Sequence, residues 1–304
     1  MITPQNLQPG DTIGLVSPAK RIDAPVIDNA IRIIEQMGYR VKTSKYLLAG
    51  DRYFAGQDAD RASDFQQMLD DPEIKMILCS RGGYGSARII DMLDFSGFSK
   101  HPKWIAGYSD ITVFHSHLLK LGFESLHCTM PLDFQPNGKP SAAILELFQV
   151  ASGGKSKYQI ESQKNNRQGT AAGELVGGNL SILCSLLGSR SDVDTSGKLL
   201  FIEEVGEDLY RIDRMMVSLK RAGKLTSLAG LIVGGMPDNA NKNAFDFSIE
   251  EIILHVVSEY DFPVAFGFPA GHFPENYPLV IGRRMRLEVG EEVVLRDESM
   301  ARSA

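Results

Sequence analysis

Three short segments of this chain each end an apolar, strand-like run with a residue that can do acid–base or nucleophilic chemistry. They contribute Ser109, the adjacent pair Glu203 and Glu204, and His272, in that order along the chain. A serine attacks a carbonyl carbon only if a base takes its proton, and the base works best when a third group fixes its tautomer. Serine, then acid, then histidine is one of the known chain orders for this chemistry. We therefore interpret the three segments as one active site.

Each of these residues also has a structural interpretation. Ser109 lies between a predicted strand (103–108) and a predicted helix (110–121), where serine commonly serves as a helix N-cap. From that position alone, capping is favoured over catalysis. His272 alone would be a hydrogen-bonded structural histidine, and Glu203 and Glu204 alone would be solvated carboxylates beyond a strand. Only the combination of the three segments, together with a glycine loop, favours the catalytic interpretation.

The glycine loop is Arg81-Gly82-Gly83-Tyr84-Gly85, which follows a predicted buried strand (74–78) and opens a helix. Glycines at this position let backbone N–H groups approach a ligand and present positive charge to it. The loop predicts an oxyanion hole or a phosphate cradle, and a tight turn is the structural alternative. A dinucleotide site is disfavoured because Arg88 replaces the third glycine of the fingerprint, and the Walker pattern is absent.

Other polar motifs give weaker signals. His115 and His117 are two residues apart on a predicted helix and point to different faces, so we interpret them as non-ligands. No other cluster of histidine, cysteine and acidic residues has zinc spacing, and we expect neither a metal nor a cofactor. Asn179 follows two glycines and begins a helix. We slightly favour a turn with an asparagine cap there over a lining of the substrate groove.

The composition of the 304-residue chain predicts a globular protein of two domains. A hydrophobic content of 43% is normal for a packed globular protein. The net charge of −6 disfavours general nucleic-acid binding and a polybasic membrane contact. The three cysteines form neither a disulfide framework nor a CxxC metal site. We find no secretion signal and no run of about 18 apolar residues, so no membrane partner is expected and a reducing cytoplasm fits best.

The order of predicted elements gives the fold class. Strands alternate with helices in the first half, which predicts a parallel sheet with helices on both faces, of the flavodoxin or Rossmann type. Such sheets bind ligands at the carboxyl ends of their strands, where the glycine loop and Ser109 both lie. The second half ends in consecutive short strands from 279 to 295 and predicts a β-rich, barrel-like domain with helices. We place the N-terminal domain at 1–137, a connection at 138–168 and the C-terminal domain at 169–304.

Taken together, the motifs resemble the LD-carboxypeptidase family of serine peptidases, in the family order and over about residues 11 to 290. The segments that carry the resemblance are Arg81-Gly82-Gly83-Tyr84-Gly85, Gly107-Tyr108-Ser109-Asp110, Gly177-Gly178-Asn179-Leu180, Ile202-Glu203-Glu204-Val205-Gly206-Glu207 with Tyr210-Arg211-Ile212-Asp213-Arg214, and Gly271-His272. The resemblance implies that an N-terminal α/β domain carries the nucleophile and that a C-terminal β-rich domain carries the acid and the base.

The resemblance also implies roles for individual residues. Ser109 would be the nucleophile, His272 the general base, and Glu203 the carboxylate that orients His272, with Glu204 as a rival. The backbone N–H groups of Asp110 and Gly83 would form the oxyanion hole. The further candidates for substrate binding are Arg81, which is able to hold a terminal carboxylate, Gly82 and Asn179.

The substrate expected from the resemblance is a murein tetrapeptide, from which the enzyme would release terminal D-alanine during cell-wall recycling. A related branch of the family implies the alternative of a microcin-immunity hydrolase that cuts an aminoacyl adenylate. A non-catalytic ligand-binding module that uses the glycine loop is an alternative of another class. We also expect a homodimer.

Overall fold

The computed structural model describes residues 1–136, 138–238 and 245–299, which form two β-sheets flanked by helices. The strands are β1 (Thr12–Val16), β2 (Arg40–Thr43), β3 (Ile74–Cys79), β4 (Trp104–Gly107), β5 (Ser125–His127), β6 (Lys157–Glu161), β7 (Gly169–Asn179), β8 (Leu199–Glu203), β9 (Gly230–Val233), β10 (Val264–Ala265), β11 (Leu279–Ile281), β12 (Arg284–Val289) and β13 (Glu292–Asp297). The α-helices are α1 (Ala24–Gln36), α2 (Asp58–Asp70), α3 (Ser86–Ile89), α4 (Thr112–Leu121), α5 (Ala142–Ala151), α6 (Leu180–Ser185), α7 (Leu209–Arg221) and α8 (Ile249–Val256).

The first sheet has six strands in the order β11-β5-β4-β3-β1-β2, and all of its pairs are parallel except β11 with β5. Successive side chains of β3 enter two different cores, because residues alternate between the faces of a strand. Met76 and Leu78 pack with residues of α1 and α5, whereas Ile77 and Cys79 pack with residues of α2 and α4. The prediction of a parallel sheet with helices on both faces is therefore confirmed.

The second sheet has seven strands in the order β10-β9-β8-β7-β12-β13-β6. Its β10-to-β7 half is parallel and its β7-to-β6 half is antiparallel, and the long strand β7 takes part in both. Val264 of the edge strand β10 exchanges two backbone hydrogen bonds with Arg167, which lies just before β7. The β-rich character predicted for the second half of the chain is confirmed.

Strand β11 differs from the sequence-based expectation. We expected 279–295 to form consecutive strands of one C-terminal sheet, but β11 pairs antiparallel with β5 and extends the first sheet. The reason is burial, since Val280 packs in the same core as Leu126 of β5. The predicted connection, 138–168, contains α5 and β6, which join the first core and the second sheet respectively. The domain boundaries remain a prediction, and residues 137 and 300–304 lie outside the described residues.

The two sheets meet closely at helix α4. Thr112 at the start of this helix accepts a hydrogen bond at Oγ1 from the backbone N–H of Asn179, at 2.9 Å. A Cβ on Gly178 would lie 2.5 Å from the same oxygen, so only glycine permits this approach. The contact brings the helix that follows Ser109 against the carboxyl end of β7, beside the end of β8.

Candidate active site

Ser109 has a backbone conformation that is unusual for its residue type. Its φ is 64°, and it begins a single 3₁₀ turn (Ser109–Ile111) between β4 and α4. Non-glycine residues in this region cost about 1–3 kcal/mol and cluster at functional sites. Neither the turn nor α4 has a side-chain N-cap hydrogen bond, so the structure does not support the capping alternative. Ser109 is therefore a half-buried serine held in a strained turn at the carboxyl end of a strand.

The glycine loop after β3 lies directly against Ser109. A Cβ on Gly82 would lie 2.9 Å from Ser109 Cβ, 3.0 Å from its Oγ and 3.2 Å from the backbone nitrogen of Asp110. The neighbouring Gly83 has a φ of 113° and fits beside Lys20, where a Cβ would be 2.8 Å from the lysine Cβ. The loop and the backbone nitrogen of Asp110 thus flank the same serine, and the oxyanion hole at Gly83 and Asp110 remains a prediction.

The side chain of Asp110 ties this loop in place, a role that the sequence did not indicate. Its Oδ2 accepts the backbone N–H of Ser86 at 2.8 Å, and the residue is almost fully buried. Burial raises the pKa of this carboxyl group, while the hydrogen bond from Ser86 opposes that rise. Asp110 therefore joins the turn that carries Ser109 to the start of α3.

Glu203 and His272 form a hydrogen-bonded pair on the second sheet. Glu203 is the last residue of β8 and is fully buried, and its Oε2 lies 2.5 Å from His272 Nδ1 and 3.2 Å from the backbone nitrogen of His272. A carboxylate can only accept, so Nδ1 carries the proton and Nε2 is left able to accept one. Burial by itself lowers the pKa of His272, but the hydrogen bond and charge of Glu203 outweigh it, and this pKa is raised above 6.5.

Gly271 makes this pairing sterically possible. A Cβ on Gly271 would lie 2.5 Å from both Cβ and Cγ of Glu203, and its φ of 89° also favours glycine. Its backbone N–H donates to Oδ1 of Asn276 at 2.8 Å, and Asn276 is buried. The segment before and after His272 is thereby fixed against the end of β8.

Glu204 faces a different part of the molecule. Its Oε1 accepts from Asn179 Nδ2 at 3.1 Å and from the backbone of Val205 at 2.9 Å, and its Oε2 accepts from the backbone of Ser181 at 2.8 Å. Burial raises the pKa of Glu204, and these hydrogen bonds oppose the rise. The geometry thus places Glu203, and not Glu204, on the imidazole.

Tyr108 connects the two halves of the site, although the sequence analysis assigned it no role. Its ring packs edge-on against the His272 ring with centroids 4.9 Å apart, and its hydroxyl donates to Asp133 Oδ1 at 3.1 Å. Because Tyr108 directly precedes Ser109, this contact sets the segment of the serine against the imidazole. Asp133 is 25 positions further along the chain, so no local pattern could have revealed the pair.

Two candidates for substrate binding have different surroundings. The side chain of Asn179 is buried, and its Oδ1 accepts the backbone N–H of Ile182 at 3.2 Å while its Nδ2 binds Glu204. This favours the capping interpretation. Arg81 is half-buried, and its Nη1 is 3.4 Å from the carbonyl of Arg21, but its buried Nε has no hydrogen-bond partner in the described part of the chain.

The two histidines of helix α4 are engaged in internal contacts. His115 lies between Ser125 Oγ and the carbonyl of Gly107, each at 2.8 Å, and His117 lies 3.0 Å from Ser191 Oγ. Among the residues that the structure describes, no group of three or more histidine, cysteine and acidic side chains could hold a metal ion. No helix in the same residues is long and apolar enough to cross a membrane.

A strained serine, a glycine loop against it and a buried carboxylate hydrogen-bonded to a histidine are the parts that define the class of serine hydrolases. The chain belongs to the LD-carboxypeptidase family, and it is accordingly a serine-type carboxypeptidase. Residues 13–128 match the LD-carboxypeptidase N-terminal domain and residues 172–287 match the C-terminal domain.

Similar proteins span nearly the whole chain. A probable murein peptide carboxypeptidase of Bacillus subtilis is 36% identical over 99% of this chain and 96% of its own length. A murein tetrapeptide carboxypeptidase of Pseudomonas aeruginosa is 26% identical over 93% of this chain and 95% of its own.

Solved structures show the same architecture. The crystal structure of muramoyltetrapeptide carboxypeptidase from Oxalobacter formigenes covers 94% of this chain and 98% of its own, with a TM-score of 0.86 and 27% identity. The microcin C7 self-immunity protein MccF in complex with aspartyl sulfamoyl adenosine also has a TM-score of 0.86, over 98% of this chain and 99% of its own. At 20% identity, this second likeness establishes the fold alone.

Proposed function

We propose that this enzyme releases the terminal D-alanine from murein tetrapeptides, by cutting its bond to the L-centre of a diamino acid during cell-wall recycling. The observation that carries the catalytic part is the contact of Glu203 Oε2 with His272 Nδ1 at 2.5 Å, at the end of β8, whose neighbour β7 packs against the helix that follows Ser109. The murein substrates named for the similar Bacillus and Pseudomonas carboxypeptidases support the choice of peptide.

The proposed reaction is a two-step acyl transfer. His272 Nε2 takes the proton of Ser109 Oγ, and the oxygen attacks the carbonyl carbon of the diamino acid. The backbone N–H groups of Asp110 and Gly83 stabilise the negative oxygen of the tetrahedral intermediate. His272 then gives its proton to the departing D-alanine amine, and a water molecule, activated by the same imidazole, hydrolyses the acyl-enzyme. Glu203 holds the imidazole in the required tautomer and stabilises its charged form.

The position of Arg81 favours exopeptidase activity over endopeptidase activity. It is one residue from Gly82, which touches Ser109, and its guanidinium has a buried Nε without a partner among the described residues. A buried donor of this kind is costly to leave unpaired, and a guanidinium pairs well with a carboxylate. In our proposal Arg81 binds the free carboxylate of the terminal D-alanine.

The proposal is tested by incubating the purified protein with two tetrapeptides that differ only in the configuration of the terminal alanine. Mass spectrometry should detect release of D-alanine and little release of L-alanine. A third peptide, with its terminal carboxylate amidated, should be cleaved poorly. Equal rates on the two diastereomers, or cleavage only of the amidated peptide, would rule out this substrate assignment.

The same assay separates the two alternatives. Hydrolysis of an aminoacyl sulfamoyl adenosine in preference to the tetrapeptide would favour the microcin-immunity activity. Retained binding of the tetrapeptide without turnover, in both the parent and Ser109→Ala, would favour a ligand-binding module.

We further propose that the enzyme is a cytoplasmic homodimer. The three cysteines, Cys79, Cys128 and Cys184, are all free thiols, which suits a reducing compartment. Sedimentation velocity at micromolar concentration should give the mass of a dimer, and fractionation of the source cells should recover the protein with cytoplasmic markers. A monomeric mass or a membrane-bound fraction would contradict this proposal.

A further inference from the structure

A cleft of 230 Å³ adjoins the proposed active site on the side of His272. Its lining includes Asp133 and the segment that directly follows the histidine, from Phe273 to Asn276. None of these side chains has a part in the proposed proton transfers. The cleft is large enough for a side chain of several methylene groups with a polar end.

Two contacts fix the position of the cleft relative to the reaction centre. Asp133 accepts the hydroxyl hydrogen of Tyr108 at 3.1 Å, and the ring of Tyr108 packs on His272 with centroids 4.9 Å apart. From the other side, Asn276 accepts the backbone N–H of Gly271 at 2.8 Å. These contacts join two residues of the cleft lining to the segments that carry Ser109 and His272.

The charged residues that line the cleft, Asp133 and Glu275, are both acidic. Asp133 receives hydrogen bonds from Tyr108 and from the backbone of Met130 at 3.0 Å, and Glu275 receives one from the backbone of Ala143 at 3.3 Å. Neither carboxylate forms a salt bridge to a lysine, arginine or histidine within residues 1–136, 138–238 and 245–299. Two carboxylates on one small cleft therefore favour a cation as its occupant.

A second, independent feature of the cleft points to a ligand. Asn276 is only 4% exposed and lines the cleft, yet its Nδ2 has no hydrogen-bond partner among the described residues. A buried amide donor without a partner is costly. A carboxyl group on the same carbon as an ammonium, as in diaminopimelate, would offer an acceptor to this nitrogen.

We propose that this cleft is the subsite for the distal ammonium group of the substrate's diamino acid, held by the carboxylates of Asp133 and Glu275. The inference rests on the proposed function, because it names the feature that the same active site recognises in its peptide. The discriminating feature is the charge at the end of the third residue's side chain.

The test compares three tetrapeptides that differ only at the third residue, which is meso-diaminopimelate, L-lysine or L-norleucine. Norleucine keeps the length of lysine and lacks the ammonium. The first two peptides should be cleaved with kcat/KM at least tenfold above that of the norleucine peptide, since a charge-assisted contact supplies a factor of about ten or more. Cleavage of the norleucine peptide within threefold of the lysine peptide would overturn the proposal.

A variant at the cleft tests whether its carboxylates cause the preference for lysine over norleucine at the third residue. Glu275→Gln should reduce the ratio of lysine to norleucine rates toward one, whereas Glu291→Gln, an exposed acid in the turn between β12 and β13, should preserve it. An unchanged ratio in Glu275→Gln would also overturn the proposal. Failure of the proposed function itself is distinguishable, because then none of the three peptides would release D-alanine.

Discussion

One carboxylate oxygen, Oε2 of Glu203, accepts hydrogen bonds from both the backbone N–H and Nδ1–H of His272, at 3.2 and 2.5 Å. The double contact fixes both the position of the residue and the orientation of its ring. The other oxygen of Glu203, Oε1, is buried and has no partner within the described residues. The orientation of the imidazole therefore depends on a single oxygen atom, and replacing this acceptor by an N–H donor should strongly reduce activity.

Glu203→Gln and Glu204→Gln should have different effects, although the two residues are adjacent. Glu203→Gln removes the negative charge that stabilises the protonated ring of His272 and introduces an N–H donor that favours the wrong tautomer, so it should lower kcat by roughly 10⁴. Glu204→Gln should lower kcat far less. Because the Glu204 carboxylate accepts hydrogen bonds from three N–H donors, this variant should lose about 1–3 kcal/mol of unfolding free energy. Steady-state kinetics and urea unfolding of both variants measure these effects. The reverse ranking in kcat would move the orienting role to Glu204.

Activity and the stability contributed by His272 should depend on pH in opposite directions. The pKa of His272 is raised above 6.5 by Glu203, against the effect of burial, and catalysis needs the neutral ring. The rate constant kcat/KM should therefore rise with pH through this pKa. The stabilisation from the charged ring is complete below about 6.5, the pKa in the unfolded chain, and is lost as pH rises through the folded pKa.

The pH dependence can be measured at the residue itself. An NMR titration of the His272 ring should give a midpoint above 6.5, and the midpoint should fall in Glu203→Gln because the neutral amide removes the charge that raised it. The difference in unfolding free energy between the parent and His272→Gln should shrink from pH 6 to pH 8. A His272 midpoint at or below 6.5 in the parent would contradict this account.

Ser109→Ala should lower kcat by roughly 10⁴ to 10⁶ while leaving the fold intact. A matched control is Ser116→Ala on α4, whose buried hydroxyl has no partner among the described residues and should be dispensable. Circular dichroism and kinetics of both variants test this prediction. Activity of Ser109→Ala within tenfold of the parent would remove Ser109 from the mechanism.

Ser109→Gly should separate strain from chemistry. Both Ser109→Gly and Ser109→Ala lack the nucleophile, but only glycine relieves the φ of 64°. The glycine variant should be inactive and more stable than the alanine variant by about 1 kcal/mol. Equal or lower stability of the glycine variant in urea unfolding would show that the turn stores no strain at this position.

Gly82→Ala should impair catalysis without unfolding the protein. The new methyl group would lie 3.0 Å from Ser109 Oγ and 3.2 Å from the backbone nitrogen of Asp110, so it would crowd the nucleophile and one oxyanion donor. We expect a loss of about 10² to 10³ in kcat/KM, the usual effect of a lost oxyanion contact. Gly97→Ala, which places a methyl group in open space, serves as the control. Similar kinetics for the two variants would place the substrate away from the glycine loop.

The sequence predicted the local frame of the site because that frame depends on neighbouring residues. The alternation of strands and helices predicted the first sheet, and the apolar run before Ser109 predicted its place at the end of a strand. The glycine loop could also be recognised from the sequence, because a glycine-rich turn after a buried strand exposes backbone N–H groups wherever that strand lies in the sheet.

The choice between Glu203 and Glu204 was decided by tertiary structure. Adjacent residues at the end of a strand point to opposite faces, so a one-residue difference in register exchanges their surroundings. Only the packing of β8 between β7 and β9 directs Glu203 to His272 and Glu204 to the start of α6.

Two other features also depend on segments that are distant in sequence. They are the contacts of Tyr108 with Asp133 and His272, and the pairing of β11 with β5. Short-range patterns such as periodicity, caps and turns predict the local structure that a residue's sequence neighbours favour. They carry no information on which distant segment will bury the same surface. The sequence by itself therefore determined which residues were chemically capable, and the folded chain decided which of them meet.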